Sequence, residues 1–229
     1  MKEAIILAGG MGTRLRDVVP DLPKAMALVA GRPFLEIVLR NLSDKGFSRV
    51  VLSLGFMSEK IVSHFGSNFA GMELVYVLED VPLGTGGGAR LALTQCSQDK
   101  VFVLNGDTFI DFEAAAIERS WSTRRNPIIV AHEVANASRY GCLLVRDGRV
   151  IGFTEKGVLG QGIISAGCYV FSRGQLDAFP LRKPFSLETD FLANAVEKIA
   201  MDVFVSNGFF IDIGVPEDYL RAQSELSFK

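Results

Sequence analysis

The segment at residues 9–14 combines small residues with a permanent cation, directly after a short apolar stretch at residues 4–8. Its relevant members are Gly9, Gly10, Gly12, Thr13 and Arg14. Glycines let backbone N–H groups turn toward a ligand and approach it closely, and a strand followed by such a loop is a common phosphate-binding device. Arg14 adds a planar donor fork that matches phosphate oxygens. We therefore predict a phosphate-binding loop here.

Two better-known glycine motifs do not fit this loop. A dinucleotide-binding GxGxxG would need Gly10, Gly12 and a third glycine where Leu15 stands, and the chain has no Walker A Gly-Lys-Ser/Thr. The loop that follows is long for an α/β protein, and long loops at strand ends are often functional. Lys24 follows a rigid proline, so its ammonium group is expected to be delivered to a fixed point.

Two further segments of the first half carry residue types suited to phosphates and metals. Residues 84–88 are rich in glycine and open a predicted helix, where so many glycines are costly without a use. Asn105, Gly106 and Asp107 follow the apolar residues 101–104. A carboxylate at a strand end is well placed to hold a hard cation against phosphate oxygens, although an aspartate beside glycine is also common in ordinary turns.

Apolar runs and helical spacing alternate along the first half of the chain. Strands are predicted near residues 4–8, 50–54, 74–78 and 101–104, with helices at 34–42, 58–65 and from 84 onward. This alternation implies βαβ units and a parallel sheet, in which ligands bind beyond the carboxyl ends of the strands. The glycine loop, residues 84–88 and Asp107 all fall at such ends. The expected fold is therefore α/β, a Rossmann-like, mostly parallel mixed sheet flanked by helices.

The second half is predicted to be richer in strands. Asp147 and Gly148 predict a tight hairpin, and Pro216 fits the first turn of a last helix. Ser58 and Ser186 are predicted helix N-caps, the latter before a helix through about residue 199. Trp121 is interpreted as part of a surface helix end.

Four segments together resemble the sugar-phosphate nucleotidyltransferase family. They are Gly-Gly-Met-Gly-Thr-Arg-Leu at 9–15 with Pro-Lys at 23–24, Pro-Leu-Gly-Thr at 82–85, Asn-Gly-Asp at 105–107, and Asp-Ile-Gly-Val-Pro-Glu-Asp-Tyr at 212–219. Order and spacing match over nearly the whole chain, with Val215 where the family has threonine. The resemblance implies one nucleotidyltransferase domain at residues 1–229, with a nucleotide-binding half at 1–110 and a sugar-binding, metal-completing half at 111–229.

The resemblance also implies roles for individual residues. Arg14 would hold the β- and γ-phosphates, Lys24 would lie near the α-phosphate, and Asp107 and Asp212 would hold Mg²⁺. The expected nucleotide-binding residues are Leu7, Ala8, Gly9, Gly10, Gly12, Thr13, Glu79, Pro82, Gly84, Thr85, Asn105 and Gly106.

A second group of residues is expected to bind the sugar phosphate. By resemblance, Lys156 would neutralise the attacking phosphate, and Glu155 would bind sugar hydroxyl groups. Ser165, Gly167 and Glu188 are expected at the sugar, with Ser165 standing where the family has asparagine. A hydroxyl is shorter than an amide and cannot donate and accept at two separate atoms, so the contact at this position is expected to differ.

Composition and charge limit which classes of protein remain possible. The chain has 229 residues, 48% of them hydrophobic, and a formal net charge of −2, which argues against broad nucleic-acid binding. Apolar stretches are about strand length, so no membrane span is expected. The start lacks the apolar region and cleavage site of a signal peptide, which predicts a cytoplasmic protein. Three widely separated cysteines fit neither a disulfide framework nor a zinc site.

Within the family, the compact length and several of these segments are most similar to heptose 1-phosphate guanylyltransferases. The expected substrates are therefore GTP and D-glycero-α-D-manno-heptose 1-phosphate, in nucleotide-sugar synthesis for bacterial surface polysaccharide. Mannose 1-phosphate guanylyltransferase and uridylyltransferase activities stay open, as does a non-catalytic nucleotide-sugar sensor. The missing third glycine and the Pro-Lys pair count against an NAD-dependent oxidoreductase. A homodimer is compatible with the apolar second half.

Overall fold

The computed structural model describes residues 1–10, 12, 15 and 19–227. The strands are β1 Lys2–Ala8, β2 Leu28–Val29, β3 Arg32–Pro33, β4 Phe47–Leu54, β5 Asn68–Phe69, β6 Met72–Leu78, β7 Lys100–Asn105, β8 Thr108–Ile110, β9 Ile128–Val134, β10 Leu143–Arg146, β11 Arg149–Phe153, β12 Gly162–Ser172, β13 Asp202–Val205 and β14 Phe210–Asp212. The helices are α1 Phe34–Asp44, α2 Ser58–Phe65, α3 Gly84–Leu93, α4 Ala114–Arg124, α5 Ala193–Ala195 and α6 Pro216–Glu225. A 3₁₀ turn at Lys24–Met26 and a π-helical segment at Leu187–Leu192 complete the set.

One large mixed sheet forms the centre of the fold. Its strand order is β10-β11-β13-β9-β12-β7-β1-β4-β6-β5. The four strands β7, β1, β4 and β6 run parallel, so their carboxyl ends share one edge. Toward β10 most neighbours are antiparallel, with β13 and β9 as the parallel exception. The expected α/β mixed sheet is confirmed, and the parallel part is largely the first half of the chain.

Helices cover both faces of the sheet because its central strands are apolar on both sides. In β1, Ala4 and Ile6 face one core while Ile5 faces the other, and all three are fully buried. The first core includes side chains from α1, α2, α4 and α6, and the second includes side chains from α3, the π-helical segment and α5. Burial on both faces is what a continuous Val/Ile/Leu-rich run in a parallel strand requires.

A small two-stranded sheet ties the end of the chain to its middle. β14 pairs antiparallel with β8, placing Asp212 opposite Thr108. The backbone N–H of Ile213 also donates to the carbonyl of Asp107 at 2.9 Å. Segments about a hundred positions apart in sequence therefore meet at the carboxyl end of β7.

Several local predictions are confirmed and three need correction. Ser186 caps the π-helical segment by accepting from the N–H of Thr189, and Pro216 begins α6. The helical region after Ser186 ends at Ala195 rather than near residue 199. Ser58, however, is the first residue of α2, because Met57 takes the N-cap position in a left-handed conformation. Trp121 is buried in the core rather than lying at the surface, since α4 packs this side chain against the sheet.

No helix among the described residues combines the length and the apolar character that crossing a membrane would need.

Candidate active site

A cavity of about 370 Å³ opens at the carboxyl ends of β1 and β7. This volume lies in the usual range for small-molecule sites. Its walls include these predicted nucleotide-binding residues: Leu7, Ala8, Gly9, Gly10, Gly12, Glu79, Pro82, Gly84, Thr85, Asn105 and Gly106. Lys24 and Asp107 line it as well. The separate glycine segments thus form one cavity, at the position expected for a parallel sheet.

The first glycine loop passes close to a fixed carboxylate. Glu79 accepts hydrogen bonds from the Ser53 hydroxyl and the Leu83 backbone N–H, both at 2.9 Å. A Cβ on Gly9 would lie 2.6 Å from Glu79 Oε1, and a Cβ on Gly88 would lie 2.8 Å from the same atom. A side chain at either position would therefore displace this carboxylate from its hydrogen-bonded place at the cavity wall.

The second glycine segment serves packing as much as ligand approach. Gly84 and Thr85 line the cavity at the start of α3. The backbone N–H groups of Gly86 and Gly87 instead donate to the carbonyl of Phe185, at 3.0 and 3.3 Å. A Cβ on Gly86 would lie 2.2 Å from the Phe185 ring. Part of this glycine enrichment therefore reflects close packing of the 183–185 segment, which the sequence alone did not reveal.

Lys24 reaches the strand end that carries Asp107. Its Nζ lies 2.5 Å from Asp107 Oδ2, and the two side chains are 12% and 34% exposed. The 3₁₀ turn Lys24–Met26 buries Ala25 and Met26, which fixes the direction in which Lys24 projects. The prediction that a rigid proline would deliver this ammonium group to one point agrees with that contact.

Asp212 lies beside Asp107 through the pairing of β14 with β8. Its Oδ1 accepts the backbone N–H of Gly214 at 2.6 Å, and a Cβ on Gly214 would lie 2.7 Å from that oxygen. Burial, followed by the negative charge of Asp107, raises the pKa of Asp212 above its ordinary value, although Lys24 acts to lower it. Two neighbouring carboxylates in this setting favour a bound cation.

The donor set fits a hard divalent cation such as Mg²⁺. Carboxylate oxygens are ligands that this ion prefers, and Mg²⁺ is commonly held by one or two carboxylates together with substrate phosphates and water. In the part of the chain that the structure describes, no group of three or more His, Cys, Asp and Glu side chains is placed to hold a metal alone. A metal held by Asp107 and Asp212 would need oxygens from a substrate.

Three of the predicted sugar residues lie in one hydrogen-bonded group next to the cavity. The Ser165 hydroxyl donates to the Tyr169 hydroxyl at 3.2 Å, which in turn lies 3.5 Å from Glu188 Oε1. Thr85, which lines the cavity, donates to Glu188 Oε2 at 2.8 Å. Gly167 has a left-handed φ of 63°, and its missing Cβ would lie 3.0 Å from Asn105 Nδ2. The group connects the cavity wall at Thr85 to strand β12.

Glu155 and Lys156 occupy a different position. β11 ends at Phe153, so both residues fall in the turn after the strand, and both are exposed. They are not among the residues that line the cavity. Thr13 and Arg14 lie outside the described residues. Ala25 and Gly214 line the cavity but were not predicted; Gly214 stood in a quoted motif, whereas Ala25 gave no signal in the sequence.

Comparisons with known proteins cover nearly the whole chain. The family model described as nucleotidyl transferase matches residues 3–228. The chain is 39% identical to D-glycero-alpha-D-manno-heptose 1-phosphate guanylyltransferase of Aneurinibacillus thermoaerophilus, covering 98% of each chain. It is 36% identical to the protein of the same description from Campylobacter jejuni, over 95% of this chain and 96% of that one. The crystal structure of HddC from Yersinia pseudotuberculosis complexed with GMP-PN is similar with a TM-score of 0.88 and 36% identity, covering 99% of this chain and 100% of that one.

Proposed function

The chain belongs to the nucleotidyl transferase family, and we propose that it transfers a guanylyl group from GTP to D-glycero-α-D-manno-heptose 1-phosphate, releasing pyrophosphate. The observation that carries the proposal is a single cavity in which a glycine-lined slot adjoins Lys24 and Asp107. The glycines of this slot are Gly9, Gly10, Gly12 and Gly84. Similarity to two heptose 1-phosphate guanylyltransferases over at least 95% of this chain supports the choice of substrates.

The chemistry requires charge neutralisation more than proton transfer. A phosphate oxygen of the sugar 1-phosphate, already ionised at neutral pH, attacks the α-phosphorus in line. The new bond joins that oxygen to the α-phosphorus, while the bond from the α-phosphorus to the bridging oxygen breaks and pyrophosphate leaves. Because two polyanions must meet, catalysis rests on positioning and on cations that stabilise the charge of the transition state. Lys24 is the described cation at the cavity, with Arg14 and Lys156 as further candidates.

The metal of this proposal is Mg²⁺, held by Asp107 and Asp212. Enzymes of the family generally use a divalent metal. When bound, such an ion supplies Lewis-acid stabilisation of phosphoryl oxygens and a fixed orientation for them. The residues of the chain supply the rest: Gly214 fixes one carboxylate through its N–H, and Lys24 offsets the charge of the other.

The two halves of the chain divide the substrates in this proposal. Residues 1–110 bind the nucleotide, and residues 111–229 bind the sugar phosphate and complete the metal site, within a single domain. The proposed ligands of the sugar phosphate are Glu155, Lys156, Ser165, Gly167 and Glu188. The setting is nucleotide-sugar synthesis for a bacterial capsule or lipopolysaccharide, in the cytoplasm where GTP is available, with a homodimer as a compatible state.

Pyrophosphate release from the purified protein tests the proposal directly. GTP, ATP, UTP, CTP and dTTP are each combined with heptose, mannose, glucose and N-acetylglucosamine 1-phosphates in the presence of Mg²⁺. We expect release with GTP and the heptose phosphate, and a loss of about 10²-fold or more in Asp107→Asn. Asp147→Asn is the matched control: this exposed aspartate sits in the β10–β11 turn with a φ of 52°, a conformation that asparagine also accepts.

The outcomes separate the parts of the proposal. Release with another pair would contradict the proposed substrates while keeping the reaction class. An Asp107→Asn variant as active as Asp147→Asn would contradict the metal site. Binding of a nucleotide sugar without pyrophosphate release from any pair would contradict the enzyme and favour a sensor.

A further inference from the structure

An ion pair fixes the loop between β9 and β10 to the last helix. Arg139 Nη1 lies 2.5 Å from Asp218 Oδ2, and the two residues are 79 positions apart in the sequence. The Asp218 side chain is only 4% exposed, whereas that of Arg139 is 45% exposed. A buried carboxylate that holds a half-exposed guanidinium restricts where residues 135–142 can lie.

The same loop packs against the strand that carries Asp212. The Tyr140 ring contacts the Phe210 ring in an edge-on arrangement, with centroids 6.3 Å apart. Burial acts to lower the pKa of Arg139, but its contact with Asp218 and the charges of Asp218 and Asp212 raise it overall. The guanidinium is therefore charged, and it lies close enough to Asp212 for the two charges to attract each other.

The turn that carries Lys156 is bonded to this loop along its length. The N–H of Gly157 donates to the carbonyl of Ser138 at 2.9 Å. Further contacts on either side are Ala137 N to Gly160 O at 2.9 Å, Thr154 N to Cys142 O at 2.9 Å, and Cys142 N to Thr154 Oγ1 at 3.0 Å. The position of Lys156 is thus set by residues 135–142 rather than by its own side-chain packing, since Lys156 itself is exposed.

We propose that Arg139 is a positioning residue: its ion pair with Asp218 holds the 135–142 loop so that the attached turn presents Lys156 to the sugar phosphate. This inference rests on the proposed function, which assigns Lys156 to the attacking phosphate. Arg139 contacts no substrate in this role and acts through the turn. Asp218, the partner of Arg139, belongs to α6, which follows Asp212 closely in the sequence. One short segment of the chain would therefore carry the proposed metal ligand and also anchor the loop that positions Lys156.

Asp218 has a second partner, which provides a matched control. Arg221 Nη1 lies 3.1 Å from Asp218 Oδ1 and belongs to the same helix, with a side chain 49% exposed. The Arg221 contact is local to α6, whereas the Arg139 contact joins α6 to the loop. Arg139→Gln and Arg221→Gln therefore each remove one cation from the same buried carboxylate, but only the first releases the loop.

Steady-state kinetics provide the first arm of the test. We expect Arg139→Gln to raise the KM for the sugar 1-phosphate about tenfold and to leave the KM for the nucleoside triphosphate unchanged, because the loop lies away from the glycine-lined slot. Arg139→Lys should restore most of the loss, since it keeps a cation for Asp218. In an enzyme that already carries Lys156→Ala, Arg139→Gln should have little further effect, because both changes act through the same ammonium group. Additive effects, or an Arg221→Gln variant as impaired as Arg139→Gln, would overturn the inference.

Amide hydrogen exchange provides an arm that does not depend on turnover. In the substrate-free protein, the Gly157 N–H should exchange at least about tenfold faster in the Arg139→Gln variant than in wild type, whereas its exchange rate in the Arg221→Gln variant should be unchanged. If Gly157 exchanges faster in Arg139→Gln but the wild-type protein releases no pyrophosphate, the anchoring role of Arg139 is supported and the proposed function is contradicted. If the wild-type protein is active but Gly157 exchange in Arg139→Gln is unchanged, the anchoring role is contradicted and the proposed function is kept.

Discussion

Replacing Lys24 by methionine removes the cation that contacts Asp107 while keeping a side chain of similar length. We expect two effects of opposite sign. The turnover number should fall, because Lys24 no longer stabilises the charge that develops around the α-phosphorus. The half-saturating concentration of Mg²⁺ should also fall, because Lys24 and the metal ion compete for the same carboxylate in the substrate-free cavity.

The structure sets the size of each effect. Loss of one charge-stabilising group aimed at a transition state typically costs about 3–4 kcal/mol, or 10²–10³-fold in kcat. For the metal, the ion pair is short at 2.5 Å, but the Asp107 side chain is 34% exposed, so solvent screens much of the attraction. A contribution of about 1 kcal/mol is reasonable for such a pair, which corresponds to a roughly fivefold lower Mg²⁺ requirement.

The assay is pyrophosphate release at saturating substrates over a range of Mg²⁺ concentrations, with Mn²⁺ binding to the free protein followed by electron paramagnetic resonance. Lys45→Met is the matched control. The Lys45 Nζ also lies 2.5 Å from a carboxylate, that of Asp111, and the two side chains are 16% and 38% exposed, yet the pair does not line the cavity. It should alter stability about as much as Lys24→Met and leave turnover unchanged.

Either of two results would refute this reasoning. A kcat within threefold of wild type in Lys24→Met would mean that this cation does not stabilise the transition state. A higher Mg²⁺ requirement, with weaker Mn²⁺ binding, would mean that Lys24 supports the metal ligands instead of competing with the metal.

Two further predictions follow from buried ionisable groups. The raised pKa of Asp212 means that the folded, metal-free chain holds this proton more tightly than the unfolded chain, so stability falls as the pH rises from the ordinary aspartate range through the raised value. Asp212→Asn should therefore increase the free energy of unfolding at neutral pH, measured by urea denaturation without metal; a decrease would contradict this. Burial, and next the charge of Glu3, raises the pKa of Cys96 to about 12, and burial raises that of Cys168. Both thiols should react slowly with a disulfide reagent at pH 8 and rapidly in urea, and fast labelling of the native protein would show that they are accessible.

The glycine-lined wall of the cavity could be predicted because its signals are local. Gly9 and Gly10 follow one apolar run, and Asp107 follows another. Each segment therefore indicates both a strand and the candidate ligand-binding residues that follow it. Once the strands are parallel, their ends must share one edge. The predicted Ser186 cap and the Asp147–Gly148 hairpin hold for the same reason, since each depends on a few consecutive residues.

The remaining features depend on contacts between distant residues. Nothing near Asp212 in the sequence shows that β14 pairs with β8, and only the family resemblance linked it to Asp107. From the sequence alone, Gly86 is attributed to the approach of a ligand. In the structure the ring of Phe185, about a hundred positions later, fills the space that a side chain at this position would need. Tertiary packing decided each of these cases.

The electrostatics of the cavity connect stability to function. Asp107 and Asp212 bring two carboxylates together, and within the described residues that line the cavity Lys24 is the one cation. Such a site is unfavourable for the empty fold and becomes favourable once a divalent cation and its phosphate ligands enter. The expected gain of stability in Asp212→Asn follows from burial of that carboxylate and its repulsion by Asp107, whereas the expected gain of metal affinity in Lys24→Met follows from removal of the cation that competes for Asp107. If Asp212 instead kept its proton at neutral pH, the gain of stability would disappear, but the competition between Lys24 and the metal for Asp107 would remain.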